Sequence, residues 1–343
     1  MPDLRRVANP PSPFESRHVE WDGPPPEVEL EVYEERAKTI ITENASPDVG
    51  FRFGINPYRG CFHGCIYCYA RPSHQYWGFG AGTDFERKIV VKVNAPELLD
   101  RELARGRTGG EGLALSGNTD CYQPLEATYE LTRGCLEVCL RHAQPVSIIT
   151  KGTLIRRDVE LLCALSREAP VHVWISVAFS DDRVRRVLDP FAAPVDARFE
   201  TMRRLADAGI SVGVACAPII PGLSDAMIPA VLARASAAGA SRAFMSLVRL
   251  PREVREVFEA RIDEALPQRA RKVKSAIRQA RGGAMNDSRF GSRMRGTGAR
   301  WNAIEQLFDA QARRLGLQRG EIEATSAPKP EPPKKKKRQL SLF

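Results

Sequence analysis

The chain lacks any apolar run approaching the roughly 20 residues that a membrane span requires. Its opening Met1-Pro2-Asp3-Leu4-Arg5-Arg6 leads into a proline-rich stretch where a signal peptide would place its apolar core. Both absences predict a cytoplasmic protein with no membrane partner. A regular cysteine pattern is also missing, since eight cysteines fall at irregular spacing over 343 residues. That disfavours a disulfide framework, because a reducing compartment keeps thiols free for metals or catalysis. There are no internal repeats, so the fold is not an array of identical units. Carboxylates are scarce in two places: residues 269–300 hold ten Lys or Arg against Asp287 alone, and the tail 327–343 holds six against Glu331. The formal net charge is +9, so the remainder of the chain sums to −5. Basicity confined to one arm and one tail suits a polyanionic partner, whose phosphates release condensed counterions on contact. A solvated helix face is the plainer reading of the same charges.

What is present reads as an α/β protein long enough to bury a full core, with one catalytic domain and appendages. Residues 1–45 carry Pro10, Pro11, Pro13 and the triplet Pro24-Pro25-Pro26 among charges, and are expected to form a flexible extension. Over 46–250, six candidate strands appear: one just before Cys61, then apolar runs at 111–116, 146–150, 171–179, 211–217 and 243–248. Segments with helical spacing lie between them, near 124–142, 156–168, 197–208 and 225–238, the last two ending at Gly209 and Gly239. This alternation predicts parallel strands joined by right-handed crossovers, six of them, as in a partial (βα)6 barrel. Beyond 250 the strands stop, and 251–318 reads as a basic helical arm interrupted by a glycine-rich stretch. Residues 319–343 are too polar to offset the entropy of ordering and are expected to be a disordered tether.

The densest chemistry lies in Asn56-Pro57-Tyr58-Arg59-Gly60-Cys61-Phe62-His63-Gly64-Cys65-Ile66-Tyr67-Cys68-Tyr69-Ala70, where three thiols fall within eight residues after the first strand. Gly60 and Gly64 permit tight turns. A loop this compact can fold its sulfurs around one centre, and thiolates are the ligands that hold iron–sulfur clusters. Three ligands for four irons leave one iron open, as at a metal site that performs chemistry. The alternative is a zinc knuckle with His63 as fourth ligand, although no second paired ligand set at finger spacing accompanies it.

The C-x3-C-x2-C spacing, with Tyr67 before the third cysteine, resembles the signature of the radical S-adenosylmethionine (SAM) superfamily. That resemblance implies a [4Fe-4S] cluster on Cys61, Cys65 and Cys68, with the open iron chelating the amino and carboxylate groups of SAM. It further implies reductive cleavage of SAM to a 5′-deoxyadenosyl radical that abstracts hydrogen from substrate, and an electron donor such as a flavodoxin or ferredoxin. Parallel α/β folds collect ligands at the carboxyl ends of strands. There, Asn118, Thr119 and Asp120 are candidates for the SAM amino group and Lys151 for its carboxylate. Ser176 is the candidate for a ribose hydroxyl, and Pro221 and Gly222 for the adenine face. Tyr67 completes the cofactor-binding set.

The combination Asn-Pro-Tyr-Arg-Gly-Cys, Thr-Asp-x-Tyr-Gln-Pro-x-Glu, Thr-Lys-Gly and Pro-Ile-Ile-Pro-Gly also resembles the radical SAM branch grouped with spore photoproduct lyase, over roughly residues 38–300. That lyase reverses a thymine dimer in DNA and uses a cysteine as hydrogen donor. The matching position here is Gly117 or Asn118, which leaves Cys121 and Tyr122 as the nearby candidate catalytic donors; a buried structural thiol is the other reading of Cys121. The resemblance implies DNA as partner, in lesion repair or modification. RNA, protein or a small molecule is the alternative substrate, and a metal-stabilised nucleic-acid adaptor is the non-enzymatic alternative. Cys135, Cys139, Cys163 and Cys216 fall on helix or strand patterns and are expected in the core. Finally, Gln339-Leu340-Ser341-Leu342-Phe343 resembles the pentapeptide by which bacterial DNA repair and replication proteins dock on the sliding clamp, with Leu342 and Phe343 as apolar anchors.

Overall fold

The computed structural model describes residues 29–320. Eleven strands form among them: β1 (Glu31–Glu35), β2 (Thr42–Glu43), β3 (Phe53–Ile55), β4 (Tyr58–Arg59), β5 (Lys88–Lys92), β6 (Leu113–Leu115), β7 (Val146–Thr150), β8 (Val171–Ser176), β9 (Ser211–Ile219), β10 (Arg242–Leu247) and β11 (Gln318–Arg319). The main sheet has the order β11-β10-β9-β8-β7-β6-β3-β2. Its six central strands, β3 and β6 to β10, are the six predicted ones; neighbours pair in chain order and in parallel. β2 and β11 cap the two edges without pairing to each other, so the barrel stays open.

Local chemistry explains these elements. β7 reads Val-Ser-Ile-Ile-Thr and β8 reads Val-His-Val-Trp-Ile-Ser, β-branched and aromatic runs that pack well on a pleated surface. Parallel neighbours need long crossovers, supplied by the helices Ala95–Ala104, Leu131–Arg141, Val159–Glu168, Val195–Asp207 and Ile228–Ala237. Each buries an apolar face, such as Leu162 with Leu165, or Val231, Leu232 and Ala235. The Val195–Asp207 helix stops at Gly209, whose φ of +80° suits the left-handed exit, while Ile210 N–H caps the Leu205 carbonyl. Inside the barrel Trp174 covers Gly213, where an added Cβ would lie 2.5 Å from the indole. Phe244 meets Trp174 edge-on at 5.2 Å. These aromatics form a floor, and open space is left toward the carboxyl ends of the strands.

The amino-terminal region departs from expectation. Described residues of the predicted flexible extension form β1, which pairs in parallel with β5 in a second sheet of order β1-β5-β4. Ile40 and Ile41 are buried, and their N–H groups donate to the Glu102 carboxylate at 2.8 and 3.1 Å. Strands also do not stop at 250. The helices Glu253–Ala265, Pro267–Ala280 and Gly298–Arg314 carry the chain back to β11, which pairs with β10. The basic arm is only partly free, because Lys274, Arg289, Arg293 and Arg300 pair with Asp263, Asp287, Asp48 and Asp225. Arg281 is buried and donates to the carbonyls of Val248, Arg293 and Arg295. Arg269, Arg271, Lys272, Arg278 and Arg295 are exposed. Among the described residues no helix is long and apolar enough to cross a membrane. The clamp-like segment Gln339–Phe343 lies outside the described residues.

Candidate active site

The loop after β4 carries the three cysteines in a succession of tight turns. Gly60 (φ +76°) and Gly64 (φ +65°) adopt the left-handed region. Both are also packed too closely for a side chain: a Cβ would lie 2.8 Å from the Phe85 carbonyl at Gly60 and 2.4 Å from the Glu86 carboxylate at Gly64. Gly64 N–H donates to Cys61 O, Cys68 N–H to Cys65 O, and Arg71 N–H to Cys68 O. The result is that Cys61, Cys65 and Cys68 line one cavity of about 580 Å³ at the carboxyl ends of the barrel strands, a volume typical of small-molecule sites. All eight cysteines are free thiols, and Cys121, Cys135, Cys139 and Cys216 are buried away from this cavity.

A fully buried Arg71 holds the cysteine loop from behind. Its guanidinium donates to the carbonyls of Gly64 (3.1 Å), Cys65 (3.0 Å), Ala81 (3.1 Å) and Gly82 (2.7 Å), and to Glu86 Oε1 (3.0 Å). All five guanidinium hydrogens are thereby used. A second support lies under Tyr67, whose hydroxyl donates to Asp189, itself paired at 3.4 Å with the buried Arg198. Arg198 also donates to the Ser176 carbonyl, which ties the cysteine loop to the end of β8.

The donor set suits a cluster better than a single zinc. His63 Nδ1 lies 3.3 Å from Asp120 Oδ2. Burial opposes its protonation, but Cys61 and Asp120 outweigh that and raise its pKa to about 9. Among the described residues no three His, Cys, Asp or Glu side chains converge closely enough to hold one metal ion, whereas the corners of a cluster stand apart. Burial pushes the Cys65 and Cys68 thiols up, so loading a metal centre here would release their protons.

The loop after β6 is fastened to the site by Asn56, whose Oδ1 accepts from the N–H groups of Asn118 (3.0 Å) and Thr119 (3.2 Å). Thr119 Oγ1 donates to the Tyr58 carbonyl. Asp120 accepts from Thr150 Oγ1 (2.6 Å) and Lys151 N–H (2.7 Å), locking this loop to the end of β7. Tyr67, Asn118, Thr119, Asp120, Lys151 and Ser176 all line the cavity. The Lys151 ammonium lies 5.8 Å from the Tyr67 ring centroid. Burial would lower its pKa, but Cys65 and Asp189 hold it up, so it stays charged.

Four sequence candidates sit elsewhere. Pro221 and Gly222 do not line the cavity; Gly222 faces Val273 and Ala276 of the Pro267–Ala280 helix and donates to Asp225. Ala217 and Pro218, at the carboxyl end of β9, line the cavity in their place. Cys121 and Tyr122 are buried behind the loop and not in the cavity wall. The turn fixed by Ser116 Oγ on Cys121 N–H aims them inward, where Tyr122 donates to Asp158 at 3.1 Å. As placed, neither faces a molecule in the cavity. Tyr58, Tyr67 and Tyr69 line the cavity instead; Tyr69 donates to the Gly117 carbonyl and lies under Arg249, whose guanidinium is 5.2 Å from its ring centroid.

Sequence reasoning also missed the charge of the cavity wall. Arg59, Lys92, Lys151, Arg249 and Arg293 contribute to it, against the single carboxylate Asp120 already engaged by His63. Arg293 pairs with Asp48 and Ser46, closing the rim between segments far apart in the chain. Arg59 stood inside the quoted cysteine motif and Arg71 directly after it, but no local pattern distinguishes a buried cation from a solvated one.

Residues 55–235 match the family model described as Radical SAM superfamily. An uncharacterized protein of Mycobacterium tuberculosis is 39% identical over 193 residues, covering 56% of this chain and 57% of that protein. An uncharacterized protein of Methanocaldococcus jannaschii is 29% identical over 196 residues, covering 57% of this chain and 70% of that one. A radical SAM Nα-GlyT isomerase of Pseudomonas phage M6 is 26% identical over 169 residues, covering 49% of this chain and 33% of that enzyme. The match thus spans little more than half the length of the mycobacterial relative. Among solved structures, spore photoproduct lyase complexed with dinucleoside spore photoproduct superposes with a TM-score of 0.61 at 14% identity, covering 88% of this chain and 87% of that one. A mutant of the same lyase with bound AdoMet and dinucleoside spore photoproduct gives 0.60 at 15% identity, covering 84% and 81%. At these identities the likeness is one of fold.

Proposed function

The chain belongs to the radical SAM superfamily, and on that premise we propose that it is an enzyme whose substrate is DNA, in lesion repair or base modification. The family's cofactors are a [4Fe-4S] cluster and SAM; when bound they supply a carbon-centred radical for hydrogen abstraction. The residues present fit them. Cys61, Cys65 and Cys68 would hold the cluster, with Arg71 and the Asp189–Arg198 pair fixing the loop that presents them. Lys151, charged and without a hydrogen-bond partner for its ammonium among the described residues, would pair with the SAM carboxylate. Backbone and side chain of the Asn118–Asp120 loop would receive its amino end, and Ser176 a ribose hydroxyl.

The observation that carries the DNA reading is the charge of the cavity. With Arg293 held by Asp48 and Lys151 assigned to the cofactor, Arg59, Lys92 and Arg249 remain against one engaged carboxylate and favour an anionic substrate, and the exposed Arg269, Arg271, Lys272 and Arg278 on one helix suit phosphate contact. The fold likeness to a lyase solved with dinucleoside spore photoproduct supports the same class. The enzyme would act in the cytoplasm, take its electron from a flavodoxin or ferredoxin, and reach DNA through the clamp-like Gln339–Phe343 segment.

The test is isotopic. Anaerobically reconstituted, reduced protein is incubated with SAM and deuterated DNA, and 5′-deoxyadenosine is analysed for label. Transfer from DNA is expected; SAM cleavage without transfer from any DNA, but with transfer from RNA, protein or a small molecule, overturns the substrate. Loss of binding to a bacterial sliding clamp on Leu342→Ala with Phe343→Ala tests the docking segment, and unchanged affinity refutes it.

A further inference from the structure

The cavity has a second pair of cations, Arg59 and Lys92, to which no role in holding the cofactors has been given. There β4 and β5 run antiparallel, with Tyr58 opposite Val91 and Arg59 opposite Val90, and Lys92 follows as the last residue of β5 with its N–H on the Pro57 carbonyl. Lys92 lines the cavity yet is 4% exposed, and its ammonium makes no hydrogen bond or ion pair among the described residues. Arg59 lies 4.5 Å from the Trp77 ring centroid. Its Nε stands 3.7 Å from Glu35 Oε2, and both atoms are buried without a hydrogen-bond partner. Two cations thus flank one loosely engaged carboxylate, Lys92 buried and Arg59 partly exposed. Burial, and then Arg59, bring the Lys92 pKa down to about 8.

A buried cation without a hydrogen-bonding partner is costly unless a ligand supplies the missing charge. The cofactor carboxylate is already assigned to Lys151, beside Tyr67, and the charged side chains beside Lys92 are Arg59 and Glu35. We propose that Arg59 and Lys92 form an anion subsite at the β4–β5 end of the cavity that receives a phosphate group of the substrate. The assignment to a substrate phosphate rests on the nucleic-acid reading above, and in DNA the phosphate would be an internucleotide one. Trp77 orients the Arg59 guanidinium from outside the cavity, and Lys92 faces the phosphate from within it.

The test uses the anaerobic holoprotein with SAM and two ligands: thymidylyl-thymidine, which has its phosphate, and an analogue with a neutral formacetal linker. Lys92→Met removes the charge and keeps the stem, and Lys92→Arg restores a cation. Since a charge-assisted hydrogen bond contributes ~1.5–3 kcal/mol, Lys92→Met should weaken the phosphate-bearing ligand about tenfold or more. The neutral analogue should be unaffected, and Lys92→Arg should recover most of the loss. In parallel, inorganic phosphate is titrated while the Lys92 side-chain nitrogen signal is followed by NMR, and that signal should shift. Equal weakening of both ligands, or no weakening of either, with a Lys92 signal indifferent to phosphate, overturns the subsite while leaving the nucleic-acid reading intact. A protein that binds neither dinucleotide but whose Lys92 responds to phosphate keeps the subsite and loses the nucleic-acid reading. Failure of both measurements ends both.

Discussion

Arg71 should be the most damaging substitution outside the cysteines, and its cost can be worked from its contacts. Arg71→Met keeps the aliphatic stem, deletes five hydrogen bonds and strands the Glu86 carboxylate, which is buried against Gly64. Breaking a buried ion pair by removing one partner costs about 3–5 kcal/mol; Glu86 would lose its main counter-ion, with Arg87 and Arg261 still acting on it from nearby. At ~2–4 °C per kcal/mol for a domain of about this size, that is a fall of roughly 10 °C in Tm. Glu86 is already raised by burial and held back mainly by Arg71. With Arg71 gone the folded state holds that proton more tightly than the unfolded state, so the deficit shrinks as pH falls through the raised range of Glu86. Arg71→Met/Glu86→Gln should recover about 2 kcal/mol relative to the sum of the single changes. The assays are anaerobic urea unfolding and iron and sulfide per chain, the second expected to fall in Arg71→Met because the loop carbonyls lose their anchor. A variant within ~0.5 kcal/mol of the parent that retains full iron would refute the account.

Cys65→Ala should abolish iron retention and SAM cleavage, whereas Cys135→Ala or Cys139→Ala should leave iron content unchanged; equal loss in all three would show that the cavity-lining thiols have no special status. Lys151→Met is expected to raise the SAM dissociation constant about 10- to 100-fold, the worth of one charge-assisted pair, read by calorimetry on holoprotein, and an unchanged constant would remove Lys151 from the pocket. Gly213→Ala drives a methyl to 2.5 Å from the Trp174 ring and should cost ~1–3 kcal/mol by overpacking; an unmoved denaturation midpoint would mean that the barrel floor is loose. Asp48→Asn should speed hydrogen exchange at Gly291, whose N–H donates to Asp48 at 2.5 Å, and protection equal to the parent would exclude Asp48 as the clasp of that rim.

Where signals are local, the amino-acid sequence by itself determined much of this protein. β-branched runs separated by helical periodicity specify six parallel strands, because each run and each amphipathic face is written within a few turns of chain. The three thiols on two glycine turns specify a compact loop for the same reason, and the place of Lys151 in the cavity wall was legible because it follows the carboxyl end of a parallel strand. The tertiary structure alone decided the rest. β1 pairs with β5 across more than fifty residues, and Arg293 meets Asp48 across more than two hundred, contacts that leave no periodic trace. Whether Cys121 and Tyr122 face cavity or core hinges on one turn set by Ser116, a choice invisible in composition. Arg71, Lys92 and Arg198 read as ordinary surface cations until the fold removes water from around them. Burial is a property of the whole packed chain, and it is burial that turns those charges into a brace for the cysteine loop and a cationic cavity.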